Sequence, residues 1–377
     1  MTWPVSVVAL LQDLIRIPSV NPEGDPGCKE TGESLIASYV GDLLEELGAS
    51  VTFQEALPGR PNVLARFPSS GDIQKHRLLF APHLDTVSVS GMTIPPFGGE
   101  VYEGCVWGRG ATDTKGSMAA MLWALYQARE RIPHLPWEIW FAGLVDEETY
   151  QAGSRKLAAE TRFDFVVVGE PTSMHVVHRT KGSLRLTLRT RGRAAHGSSP
   201  EVGENAIFKM LDVLHWVREV ATPQLHQNVS PDLGSSSINV GIIQGGVRHN
   251  IVPDLCEAVL DIRTVLGQNV GALKESLHRI YPDLEIETRV APPLYTRPDH
   301  PLIQKLLTIG SQLSMGSQLA TAPWFCDATS FSAAGIPAIA IGPGSIAQAH
   351  TTNEFLKISD LEQGGLFFES FLNNLVG

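Results

Sequence analysis

Apolar and polar positions along the chain follow two different periods, and the switch between them divides it. "MTWPVSVVALLQDLIRIPSV" (1–20) and "TGESLIASYVGDLLEELG" (31–48) space their apolar residues as amphipathic helices do. Pro4 is predicted to open the first helix and Gly48 to stop the second. The short apolar runs "RLLFAPH", "WEIWFAGLV" and "FDFVVVGE" predict buried strands, with a long helix from Lys115 to about Arg131 between the first two. Helix and strand signals that alternate in this way predict a layered α/β sheet.

From Lys181 the period drops to two. "SLRLTLRTRG" alternates apolar with polar, as a sheet with one wet face does. A helix near 204–220, strands near 236–244 and 255–263, a helix over 270–280 and the strand "LEIETRV" follow. The order β-α-β-β-α-β predicts a ferredoxin-like α+β unit. After Pro292-Pro293 the α/β style returns, with a helix from Leu302, the strand "IPAIAIG" and a last helix from Ser359. The predicted organisation is a catalytic α/β domain, 1–179 and 294–377, interrupted by an inserted domain, 180–293.

Composition narrows the function. The 377 residues carry 40 acidic against 29 basic side chains, a formal charge of -11, which argues against a nucleic-acid or anionic-membrane partner. No run approaches the roughly 18 apolar residues of a membrane span, and the N-terminus lacks the basic start of a signal peptide. Cys28, Cys105, Cys256 and Cys326 form no CxxC pair, so a disulfide frame or zinc ribbon is not expected and a reducing, cytoplasmic setting is.

The chemistry gathers where strands end. In α/β sheets functional groups collect past the carboxyl ends of strands. His83, the triplet Asp146-Glu147-Glu148 and Glu170 all fall there, joined by Asp113 in "GRGATDTKG" and His350 in "GPGSIAQAH". Imidazole and carboxylate suit zinc, cobalt or manganese. Three carboxylates and a bridging hydroxide balance two divalent cations, so two metals are expected, with Asp113 as the bridge. Asp85, two residues after His83, is expected to take the other ring N–H of that histidine. On extended backbone Glu147 and Glu148 would point apart, one to ligate and one to serve as general base; the ligand is assigned to Glu148 and the base to Glu147. His76, His134, His215, His226, His278 and His300 lack such a setting and are read as surface or packing residues. "GATDTKGS" has the reverse of the Gly-Lys order of a phosphate loop, and neither GxSxG nor HExxH occurs.

In order, "APHLDTV", "GRGATDTKGSMAA", "DEE" with "AGS", "GEPT", "GRAAHGSSPEVGENAI" and "GPGSIAQAHTTNEF" resemble the di-zinc aminoacylase/desuccinylase/carboxypeptidase family nearly end to end. The resemblance implies a zinc-exopeptidase-like layered α/β catalytic domain with an inserted lid that often dimerises, and hydrolysis of an amide next to a carboxylate. It implies that His83 and Glu170 bind one zinc, that Glu148 and His350 bind the other, and that the Asp113–Thr114 peptide is cis. It further implies that His196, in "AAHGSSP", steadies the oxyanion, in cis or across a dimer, and that Asn250, Arg263 and Gly344 contact substrate. Arg263 could equally pair with Asp261. Asp327, in "FCDATSF", is read either as a partner for a substrate amine or as a loop or cap aspartate. Acetylornithine deacetylase-like chemistry, in arginine biosynthesis, is expected; a dipeptidase, a glutamate-type carboxypeptidase, a succinyl-diaminopimelate desuccinylase and, remotely, a non-catalytic binding protein are the alternatives. The partners expected are an N-acyl amino acid or dipeptide and a second copy of the chain.

Overall fold

A computed structural model describes residues 3–23, 28–70 and 76–375. They form two compact units: Met1–Arg179 with Tyr295–Ala320 and Cys326–Gly377, and Thr180–Leu294 with Thr321–Phe325.

The first helix, α1 (Val7–Arg16), starts later than the sequence predicts. Its cap is Ser6, in extended backbone, whose hydroxyl accepts from the Ala9 amide at 3.1 Å. A serine oxygen satisfies an amide that proline cannot, so the helix starts after Ser6 rather than at Pro4. Helix α2 (Ser34–Glu46) ends ahead of Gly48, which takes the left-handed φ of 81° expected of a glycine stop. The residue before α2, Glu33, makes no cap bond. Its carboxylate is instead buried and gripped by Arg60.

Strands β1 (Ser50–Leu57), β2 (Arg60–Arg66) and β3 (His76–Ala81) lead to helix α3 (Lys115–Ala128), then β4 (Trp137–Gly143), α4 (Ala152–Glu160) and β5 (Phe165–Gly169). Beyond the insertion, α5 (Ala328–Ala333), β6 (Ala338–Ile341) and α6 (Ile358–Asn373) complete what positions the site. Four strands run parallel in the order β4-β3-β5-β6 at the middle of an eight-stranded sheet. Their side chains are buried almost throughout, the signature of a sheet covered on both faces. Helix α3 is buried on nearly every side and packs against α1 and α6, with Phe80 edge-on to Phe368 at 5.7 Å. Helices α4 and α5 pack on each other, and α5 on β5 and β6. The β3–β4 ladder continues past the strand end: Leu84 N donates to Leu144 O at 2.7 Å and Leu144 N to Pro82 O at 3.0 Å. His83 therefore stands on backbone as fixed as the sheet itself.

In the second unit, strands Gly182–Arg191, Ser237–Gly245, Leu255–Thr264 and Glu285–Ala291 form an antiparallel sheet in the order 2-3-1-4, the ferredoxin-like arrangement the alternation predicts. Helices Ala206–Trp216 and Val270–Ile280 place Met210, Val213, Leu273 and Leu277 in one core with Leu184, Leu186, Leu188, Leu260 and Ile262. Among the described residues, no helix is long and apolar enough to cross a membrane.

Candidate metal centre

Five of the candidate residues follow the carboxyl ends of the four parallel strands: His83 after β3, Glu147-Glu148 after β4, Glu170 after β5 and His350 in the loop after β6. Asp113 enters at the start of α3, and the peptide that follows it is cis. Its two oxygens face opposite ways. Oδ1 lies 3.1 Å from His83 Nε2, and Oδ2 lies 3.3 Å from His350 Nε2. His350 Nε2 is also 3.2 Å from Glu148 Oε2. Three sets of ligand atoms lie within 4.8 Å of one another: His83–Asp113–Glu170, Asp113–Glu148–His350 and His83–Glu147–Glu148.

The electrostatics describe a cage that wants cations. Burial, then the neighbouring charges of Glu170 and Asp113 respectively, holds Glu147 and Glu170 well above the usual carboxylate range. Burial and Asp113 push Glu148 up to about 7. Hydrogen bonds from His350 and His83 overcome burial to keep Asp113 below its ordinary value, and the bonds that His350 donates to Asp113 and Glu148 carry His350 up to about 10. Glu148 Oε1 and Glu170 Oε1 are buried with no hydrogen-bond partner. A buried carboxylate oxygen without a donor is costly unless a cation meets it. The donor set, the orphaned oxygens and the clustering fit divalent metal.

The extended backbone expected at Glu147-Glu148 is corrected, and Asp85 has more partners than the histidine alone. The nearest acceptor to His83 Nδ1 is the backbone carbonyl of Asp85 at 2.9 Å, while the Asp85 carboxylate lies 3.6 Å away. A carbonyl only accepts, so Nδ1 donates to it, and Nε2 is the nitrogen turned toward Asp113. Beside its ion pair with His83, the Asp85 carboxylate also serves the glutamates: Oδ1 accepts from Glu147 N at 3.0 Å, and Oδ2 from Glu148 N at 3.1 Å and Asn21 Nδ2 at 2.8 Å. That is possible because Glu147 and Glu148 do not lie on extended backbone. Asp146 takes a left-handed φ of 69°, and Tyr150 N and Gln151 N both donate to its carbonyl, at 3.1 and 2.6 Å, closing a turn. The turn presents two successive amides to one carboxylate.

Asp327 stands at the cap position of α5 and is not exposed. Its side chain makes no cap bond at the start of α5 and is fully buried, accepting from Ser154 Oγ of α4 at 2.5 Å. Burial pushes it up to about 7, despite the Ser154 hydrogen bond. Gly344 has a left-handed φ of 80°, and a β-carbon there would meet Leu356 Cδ1 at 2.7 Å. Its carbonyl accepts from Ser173 N at 2.6 Å. In the second unit, His196 is exposed and pairs through Nδ1 with Ser198 Oγ at 2.7 Å. His196 is bridged to Ile251, and the carbonyl of the adjacent Asn250 accepts from Gly197 N at 2.8 Å. Arg263 donates to Asp261 at 3.1 Å and lies 5.2 Å from the Phe325 ring, the lid ion pair read as one of its two options.

The model for "Peptidase family M20/M25/M40" matches residues 79–374. The chain belongs to that family. An acetylornithine deacetylase of Proteus mirabilis (strain HI4320) is 32% identical over 375 residues, covering 94% of this chain and 93% of that protein. A family metallo-carboxypeptidase from Sulfolobus solfataricus superposes with a TM-score of 0.80 at 18% identity, covering 98% of this chain and 99% of that one. A dinuclear metal-binding family peptidase from Bacillus subtilis gives 0.61 at 15% identity, over 97% and 96% of the two chains. The family read from the motifs and the layered α/β fold with an insertion are thereby borne out, and the chain is a metal-dependent hydrolase.

Sequence reasoning missed the charged layer under the M20 site. Arg60 reaches both Glu33 and Asp146, at 2.5 and 3.1 Å, and Asn21 Nδ2 is 3.2 Å from Asp146 Oδ1 as well as bonded to Asp85. No local spacing announces these residues, since their partners lie far along the chain.

Proposed function

We propose that this chain hydrolyses the amide of N-acyl-L-amino acids, with acetylornithine-type deacylation as its activity, at a pair of divalent cations. One observation carries the reading: the triads His83–Asp113–Glu170 and Asp113–Glu148–His350 share Asp113, while Glu147 stays outside both. A carboxylate with its two oxygens aimed at opposite histidines suits a bridge. Imidazole and carboxylate donors suit zinc, with cobalt or manganese as substitutes. The cations, when bound, supply Lewis-acid polarisation of the amide carbonyl and acidification of water.

The remaining steps fall to side chains. Glu147 takes the proton of the attacking water and delivers it to the departing nitrogen, giving a carboxylate and a free amine. His196 donates to the developing oxyanion. Asn250 and Arg263 hold the substrate carboxylate, Arg263 exchanging Asp261 for it. Asp327, being buried and bonded to Ser154, supports α4 rather than meeting a substrate amine. A second copy pairs along the inserted unit, where the edge strand Ser237–Gly245 exposes Val240, Ile242 and Ile243 and its neighbouring helix exposes Phe208 and Leu211. Four free thiols suit a reducing cytoplasm, and the deacylation would serve arginine biosynthesis.

The test is a kcat/KM panel on zinc-reloaded protein with N-acetylornithine, N-succinyl-diaminopimelate and dipeptides. N-acetylornithine is expected to lead, and Glu147→Gln to lower kcat about 10²–10⁴-fold with metal content unchanged. A profile led by dipeptides overturns the substrate; a full rate in Glu147→Gln overturns the mechanism.

A further inference from the structure

Glu354 is fully buried, and nothing in the reaction above uses it. Both of its oxygens are nevertheless occupied, and by one loop. Oε1 accepts from Thr112 N at 2.9 Å and Asp113 N at 3.0 Å; Oε2 accepts from Gly110 N at 3.0 Å and Arg109 Nη1 at 2.7 Å. Three backbone amides and a guanidinium thus converge on one carboxylate, and the last of those amides belongs to the residue shared by the two donor triads. The lacing extends on either side. Gly108 N donates to the Glu354 carbonyl at 3.0 Å, Thr112 Oγ1 to the Phe355 carbonyl at 2.6 Å, and Phe355–Lys357 pairs as a strand with Cys105–Trp107.

Glu354 also stands four residues after His350, on the same segment. One carboxylate therefore ties the segment that carries His350 to the loop that delivers Asp113. The sheet fixes His83, Glu148 and Glu170 through adjacent strands, whereas Asp113 and His350 both hang on loops, and of the ties between those loops the Glu354 carboxylate is the one that reaches the Asp113 amide itself. Nor is the segment relaxed on its own, since His350 itself takes a left-handed φ of 62°, a conformation that non-glycine residues hold only when their surroundings impose it.

We propose that Glu354 is a positioning residue that sets the distance between Asp113 and His350, and through it the affinity for the cation held by Asp113, Glu148 and His350. The inference rests on the two-metal reading above. Glutamine at this position keeps the shape but turns an NH₂ group toward backbone N–H groups that need an acceptor, so one end of the lock opens. Outer partners that orient ligands in this way are worth about 10–100-fold in metal affinity. His83 and Glu170 draw nothing from Glu354, so the other cation feels the change only through the shared Asp113 and loses less affinity.

The experiment compares wild type, Glu354→Gln and Arg109→Met as full chains, stripped with chelator and titrated with Zn²⁺ by calorimetry, with thermal unfolding of the metal-free proteins alongside. Wild type is expected to take up two equivalents. Glu354→Gln should bind one equivalent about 10-fold or more weakly and the other, which shares only Asp113 with it, with a clearly smaller loss. Arg109→Met, which removes one of the four donors and leaves the three amides, should shift the same equivalent by less and decides the matter if Glu354→Gln does not fold. Unchanged binding in both variants, or equal weakening of both equivalents in step with a lower Tm, overturns the inference. Wild type that binds no zinc overturns the two-metal reading itself, a different failure.

Discussion

Replacing Asp85 by Asn asks whether its carboxylate serves the histidine or the glutamates. The side chain is 1% exposed and receives three donors: the amides of Glu147 and Glu148 and Asn21 Nδ2. Asparagine keeps the volume and one acceptor oxygen, so either the Glu147 amide or the pair formed by Glu148 and Asn21 loses its partner. Hydrogen bonds to a charged group contribute about 1.5–3 kcal/mol each, which puts the loss at about 2–4 kcal/mol. Spent on displacing Glu147 from its working position, that lowers kcat about 30- to 1,000-fold. His83 should be spared, because its Nδ1 donates to the Asp85 backbone carbonyl at 2.9 Å, which the substitution leaves in place. The assay is amine release from an N-acetyl amino acid, with zinc content measured on the same samples. A kcat within about 3-fold of wild type refutes the reasoning. So does zinc content that falls in step with kcat, since the carboxylate would then be orienting the histidine.

Arg60→Met leaves Glu33 and Asp146 buried without their cation and should cost about 3–5 kcal/mol in denaturant unfolding; a loss below about 1 kcal/mol contradicts the network. Metal-free protein should lose stability as pH rises from 5 to 8: Glu147, Glu148 and Glu170 are raised, with Glu148 near 7, so the folded state binds more protons than the unfolded state between the unfolded value of 4.5 and that range. The raised His350 acts in the same direction, and saturating zinc should reverse the trend, as Tm measured with chelator and with metal will show; parallel curves refute it. Gly344→Ala forces a β-carbon into a left-handed turn against Leu356 and should lower stability by about 1–2 kcal/mol; an unchanged Tm would mean that the loop before His350 yields freely.

His83, Glu148, Glu170 and His350 were legible because apolar runs announce strands and strand ends announce sites. Asp113 was legible by its glycine-rich setting. What Asp85 does was not, because the sequence "DEE" does not disclose that Asp146 bends into a left-handed turn and offers two amides. Arg60, Glu33 and Asn21 stayed hidden for another reason: each is an ordinary surface residue type whose meaning comes only from a buried partner distant in the chain. Asp327 reads locally as a helix cap, and only the packing of α4 on α5 turns it toward Ser154.

The candidate cation donors enter from both sides of the insertion, the first at His83 and the last at His350. No contiguous stretch can assemble them, so the cage closes only when the distant C-terminal strand has docked beside its N-terminal neighbours. Ions that grip such a late-formed constellation leave the folding rate nearly untouched and act on the reverse step, so bound zinc should lengthen the lifetime of the native molecule rather than hasten its birth.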